Sequence, residues 1–213
     1  MIVTISNEYG TGAVAIARDA AGALGYQLID EQLPVVVAKR LQTSPEAVEA
    51  TEDTRPSVGQ RILSSLELST PEVAAPDLGE TFDERCLREV QGAVREYAAQ
   101  GNVIIIGRAS GAILGRRPDV LRIFMHAPRE WRIRHVMDGT SVDEKTAAAE
   151  IDRIDAARKA YLAQWYELRW GNIANYDLSI DTASFGHKGS VALLVGIVQL
   201  GAKASQPGAN APQ

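Results

Sequence analysis

Apolar positions along the chain follow two periods, and the switch between them lays out the elements. Ile2, Val3 and Ile5 form a short run suited to a strand buried on both faces. Ile16, Ala17, Ala20, Ala21 and Leu24 then recur at helical spacing, with Gly25 placed to stop the helix. The run Tyr26, Gln27, Leu28, Ile29, Asp30 predicts a second short strand ending in a carboxylate. Leu87, Val90, Val94 and Tyr97 mark a helix that Gly101 and Asn102 end, and Val103, Ile104, Ile105 and Ile106 follow as a fully buried strand. Residues 120–125 predict a fourth strand, and residues 176–181 the last. Between these two lie a helix carrying Arg129, Arg132 and Arg134, a loop at 138–141, and a long helix from Val142 through Tyr161. Val191, Leu194, Val195 and Val198 give the closing helix. Five strands alternating with helices predict an α/β fold: a three-layer arrangement with right-handed crossovers and a five-stranded parallel sheet flanked by helices.

Two stretches break the rhythm. Residues 43–81 turn to Thr, Ser, Pro and Glu, with helical fragments at 45–50 and 58–68, and read as an inserted mobile lobe of the kind that covers a site. Residues 202–213, rich in Ala, Gln, Pro and Gly, read as a disordered tail. What remains is one domain over residues 1–201, in which 129–161 forms a helical hairpin.

Composition narrows the classes. With 213 residues, 46% of them hydrophobic, the chain can bury one sizeable core. No apolar run approaches the roughly 20 residues of a bilayer span, and the first residues lack a signal-peptide pattern, so a cytoplasmic protein is expected. A net charge of −5 argues against nucleic acid as a partner, so an anion site must be built from locally placed arginines. The lone Cys86 excludes a disulfide framework within the chain, and the scattered His126, His135 and His187 give no argument for a metal.

The candidate chemistry collects at the C-terminal ends of the predicted strands, where open α/β sheets bind ligands. Between the first strand and its helix, Gly10, Thr11 and Gly12 let successive backbone N–H groups converge at a helix N-terminus, a setting for phosphate. The turn is not a full P-loop: Ala13 stands where the lysine would be and Val14 where the Ser/Thr would be. Asp30 either reads a substrate hydroxyl or amine or caps the next helix. Arg108, delivered by the buried third strand, is a phosphate ligand or an ordinary loop arginine. Arg132, Arg134, Arg153 and Arg158, with Asp155 among them, form either a solvated charged face or a hairpin that closes on polyphosphate.

The residues ISNEYGTG followed by LGYQLID, then IIIGRAS, FMHAPREWRIRHVM, DRIDAARKAY and WGNIANYDLSIDT, resemble in this order the cytidylate-kinase-like proteins, relatives of the nucleoside monophosphate kinases. The resemblance covers most of the chain. It implies a P-loop NTPase-like fold, ATP with magnesium, and a nucleoside monophosphate, CMP or dCMP, as acceptor. It places the donor phosphates at Gly10, Thr11, Gly12, Ala13 and Val14, the monophosphate near Asp30 and Arg108, and a lid of Arg132, Arg134, Arg153 and Arg158 oriented by Asp155. The family's pattern REYGSGGREIA has arginines where Asn7 and Val14 stand, and cytidylate kinases carry aspartate at the position of Ala109. The alternative is therefore a degenerate kinase fold that binds a phosphorylated ligand without catalysis, with Glu8 adding negative charge to the first loop.

Overall fold

The computed structural model describes residues 1–30, 32–53 and 80–204. The expected helical fragment at 58–68 lies outside the described residues, as does the tail beyond 204. In chain order the elements are β1 (Ile2–Asn7), α1 (Ala13–Leu24), β2 (Gln27–Ile29), α2 (Gln32–Leu41), α3 (Pro45–Asp53), α4 (Phe82–Gln100), β3 (Val103–Ile106), α5 (Ser110–Leu114), β4 (Val120–His126), α6 (Arg129–Thr140), α7 (Glu144–Tyr166), β5 (Leu178–Asp181) and α8 (Thr182–Ala204).

The five strands form one parallel sheet in the order β2-β3-β1-β4-β5. β1 lies at its centre, with Ile5 opposite Ile106 on one side and Ile123 on the other. Because side chains alternate across a strand, consecutive apolar residues serve two cores. Val3, Ile5, Ile104 and Ile106 pack under Ile16, Ala17 and Ala20 of α1 and Leu194 and Val198 of α8. Ile2, Val103 and Ile105 pack on the other face against Leu33 and Val37 of α2 and Val90 and Val94 of α4. A third, smaller cluster of Ile133, Val136, Ala147 and Ile151 holds α6 to α7, with Tyr9 packed against it.

Local signals set the ends. Gly25 closes α1 at φ 67°, and α4 opens on a capping box in which Thr81 and Glu84 bond one another's backbone N–H. The ends differ from expectation in three places. β2 and β5 are shorter, and a 3₁₀ turn over Ile173–Asn175 lies just ahead of the latter. The α6–α7 connection is 141–143, since Ser141 closes α6 in the left-handed region and the Asp143 side chain caps α7. The closing helix starts directly after β5 and bends at Gly186.

This sheet order puts a switch point between β1 and β3. The chain leaves β1 toward β2 and leaves β3 toward β4, so the two following helices lie on opposite faces and their first turns open a crevice. Among the described residues no helix is long and apolar enough to cross a membrane.

Candidate active site

The crevice is a cleft of about 610 Å³, within the range of small-ligand sites. Ser6, Asn7 and Tyr9 to Ala15 come from β1, the turn and α1; Ile106, Gly107, Arg108 and Ala109 from the end of β3 and the turn after it; Asp30 from just after β2; and Arg158, Tyr161 and Leu162 from α7. Gly10, Thr11, Gly12, Ala13, Val14, Asp30, Arg108 and Arg158, separated by up to 148 positions in the chain, therefore meet at one cleft.

The glycine turn is held from below. Gly10 and Gly12 take φ of 83° and 74°, open to glycine without penalty. The Thr11 hydroxyl donates to the Glu8 carbonyl at 2.8 Å. Tyr9 N–H donates to Asp155 Oδ1 at 2.9 Å, and Arg132 Nη1 donates to the Tyr9 carbonyl at 3.0 Å. The Tyr9 hydroxyl donates to Glu150, and burial, joined by that carboxylate, pushes the phenol above its ordinary range. Gly12 gives α1 no side-chain cap, so the N–H groups of its first turn, which a helix cannot satisfy within itself, face the cleft.

Glu8 does not charge the cleft. Its Oε2 accepts from Ala127 N–H at 3.2 Å and lies 3.3 Å from Arg132 Nε, away from the lining. The Glu8 carboxylate is thus directed beneath the turn, where it shares Arg132 with Asp155.

The four lid arginines occupy three different settings. Arg132 is buried, 6% exposed, and bonds Asp155 Oδ2 at 2.7 Å as well as the Ala127 and Tyr9 carbonyls. Asp155 orients Arg132, as expected, but the pair lies beneath the turn, because α6 turns the Arg132–Ile133–Val136 face inward onto Tyr9 and α7. Arg153 and Arg134 are exposed and outside the cleft lining. Arg158 alone of the four lines the cleft, where its Nη1 donates to the Asn7 carbonyl at 2.5 Å.

Arg108 owes its position to backbone in the left-handed region. Gly107, Arg108 and Ala109 have φ of 68°, 54° and 50° in succession. Gly107 N–H closes onto the Ile5 carbonyl at 2.8 Å and Ser110 N–H onto Gly107 at 3.0 Å. Two non-glycine residues held at positive φ cost energy, a cost that clusters at ligand sites. The turn folds β3 into α5 abruptly and leaves Arg108 in the cleft, its side chain 17% exposed and 3.9 Å from Glu49 Oε1.

Other lining residues carried no signal of their own in the sequence. Glu49 arrives from α3, His135 from α6 and Trp170 from the segment after α7. Arg18 was legible in principle: it follows Val14 by four positions on α1 and so shares its face.

For a metal, the described residues contain no group of three or more His, Cys, Asp or Glu side chains able to hold one. Val14 stands at the hydroxyl position, and the Thr11 hydroxyl is bonded to Glu8. Among the described residues the turn therefore offers magnesium no side-chain hydroxyl at the P-loop position, which leaves a nucleotide's own phosphates as the main ligands such an ion would have.

The model of the cytidylate kinase-like family matches residues 2–184. Cytidylate kinase of Methanocaldococcus jannaschii is 31% identical over 97 residues, 44% of this chain and 54% of that protein, so the chain spans about half the length of this relative. Cytidylate kinase of Halobacterium salinarum is 22% identical over 186 residues, 87% of this chain and 83% of that one. The crystal structure of an uncharacterized protein from Eubacterium ventriosum shares the fold with a TM-score of 0.66 at 19% identity, covering 93% of this chain and 98% of the other. The five-stranded parallel sheet, its flanking helices and the turn after β1 are those of a P-loop NTPase-like α/β fold.

Proposed function

From the premise that this chain belongs to the cytidylate kinase-like family, we propose that it transfers the γ-phosphoryl group of ATP to a nucleoside monophosphate, CMP or dCMP. The bond between the γ-phosphorus and the β,γ-bridging oxygen breaks, and an acceptor phosphate oxygen bonds to the γ-phosphorus. An ionised acceptor phosphate needs no general base, so positioning and positive charge are the protein's task.

The observation that carries this reading is the meeting of the glycine turn, Arg108 and Arg158 at a single cleft over the switch point. The N–H groups of α1's first turn hold the donor phosphates. Arg108 takes the acceptor phosphate, and Arg158, from the opposite wall, faces the transferring group. Asp30 and Glu49 lie on the acceptor side. Carboxylates accept hydrogen bonds from an exocyclic amine, which cytosine has and uracil lacks. Magnesium bound to ATP would supply charge neutralisation at the phosphates, and the protein's own share of positive charge there includes Arg108 and Arg158. Binding without transfer has less support, because the Glu8 carboxylate points to Arg132 and Ala127 N–H and does not line the cleft.

The test is a coupled ADP-release assay across the nucleoside monophosphates, run beside a thermal-shift screen of the same ligands. ADP release with cytidine monophosphates above the others is expected. Thermal shifts with no release for any acceptor would replace the kinase by a binding protein.

A further inference from the structure

The glycine turn has no cation of its own, since Asn7, Ala13 and Val14 are neutral, yet a side chain from α6 lies against it. A Cβ built on Gly12 would stand 3.2 Å from His135 Nε2. His135 lines the same cleft as Gly12, Ala13 and Val14. Its ring is stacked on Trp131 one turn earlier, with centroids 4.8 Å apart and planes 10° apart. That stack fixes the ring plane and presents an edge, with its nitrogen, to the turn.

The distance is set by rigid parts. A Cβ at Gly10 would come within 2.9 Å of Val136 Cγ2 and 3.1 Å of the Arg132 carbonyl, so the turn is seated on α6. Arg132 and Asp155 bond the Tyr9 backbone from both sides.

We infer that His135 donates a hydrogen bond from Nε2 to a non-bridging oxygen of the phosphate seated on the glycine turn, in the place of the missing side-chain cation. This inference rests on the donor site proposed above. An imidazole with hydrogen on Nε2 is a directional donor whether neutral or protonated. Its reach from α6 also ties the lid helix to the donor phosphates. A surface histidine that merely stacks on Trp131 would leave phosphate binding untouched, which separates the two readings.

Isothermal titration of the full chain with ATP, inorganic tripolyphosphate and adenosine tests it, using His135→Leu, which keeps bulk on Trp131 but has no donor, and His135→Gln, which keeps a donor. His135→Leu should weaken ATP and tripolyphosphate by roughly tenfold or more, leave adenosine unchanged, and be largely rescued in His135→Gln. Melting temperatures near that of the wild type confirm intact folds, as expected at an exposed position. Unchanged tripolyphosphate affinity in His135→Leu, or equal losses for adenosine and tripolyphosphate, would overturn the inference while the kinase reading stands. A wild-type chain that binds neither ATP nor tripolyphosphate would overturn both.

Discussion

Arg108 and Arg132 are both arginines near strand ends, and burial gives them opposite tasks. Arg108 extends into the cleft from a left-handed turn. Arg108→Ala should weaken CMP binding by about 1.5–3 kcal/mol, the range for a hydrogen bond to a charged group, with little change in melting temperature. An unchanged CMP dissociation constant would remove it from the site. Arg132 bonds Asp155 and two carbonyls inside the protein. Arg132→Ala leaves the buried Asp155 carboxylate without that partner and should lower stability by about 3–5 kcal/mol, read from urea unfolding. A stable variant that loses only turnover would restore Arg132 to the lid. The sequence showed the arginines but not their depth. The nearby apolar pair Ile133 and Val136 is the signal that turns Arg132 inward, whereas Arg108's exposure depended on a three-residue turn that no pattern of apolar positions encodes.

At the scale of elements, the hairpin of α6 and α7 is anchored at its base and open at its tip. Arg132, Asp155 and the Ile133–Val136–Ala147–Ile151 cluster weld the base to the turn. The tip at 138–145 is largely exposed. Hydrogen exchange should therefore slow at 138–145 when ATP and CMP analogues bind, while 132–136 stays protected in both states. Ligand-dependent protection at 132–136 equal to that at the tip would mean the whole hairpin moves. A second element-scale joint links β4 to the segment before β5, where Asp177 accepts from Arg122 N–H, Nε and Nη2 at 2.9, 3.1 and 2.6 Å. The Arg122 guanidinium hydrogen bonds, chief among the causes, hold the Asp177 carboxyl below its ordinary range. A carboxyl depressed in the folded state adds stability that is present above the unfolded value, near 4, and lost as pH falls through the folded value. Asp177→Asn should melt below the wild type at pH 7, and the gap should narrow below about pH 4. A gap of constant size across that window would remove Asp177 from the acid response. Element types and the parallel sheet were legible from period and alternation. The hairpin's depth was not, because α6 and α7 carry charges on both inward and outward faces.

At the scale of the whole molecule, a sheet order of β2-β3-β1-β4-β5 brings residues from β1, β2, β3, α3, α6 and α7 to one cleft. The sequence predicted that strand ends would share an edge; it did not specify which strands adjoin, since strand order depends on crossovers that leave no local trace. Restoring the family's arginines illustrates the consequence. Asn7 is 9% exposed and its side-chain amide donates to the Glu8 carbonyl at 2.9 Å, so an arginine there would lose that bond and need a new path into the cleft, which complicates its use as a test. Val14 is half-buried, lining the cleft while packed against the core under α1, so Val14→Arg adds charge beside the donor phosphates at the loss of some apolar contact and should lower the melting temperature modestly. Its turnover number should rise by roughly tenfold or more while ATP affinity rises less, because added charge acts chiefly on the transition state. Equal gains in both would mean uniform phosphate binding.

Phosphoryl transfer itself is the central claim, and phosphorus NMR of the wild-type chain with ATP, magnesium and CMP observes it most directly. The account predicts that the γ-phosphate signal of ATP declines as ADP and CDP signals grow together, with slower transfer to UMP. Spectra in which ATP and each monophosphate persist unchanged, although both broaden on binding, would contradict it.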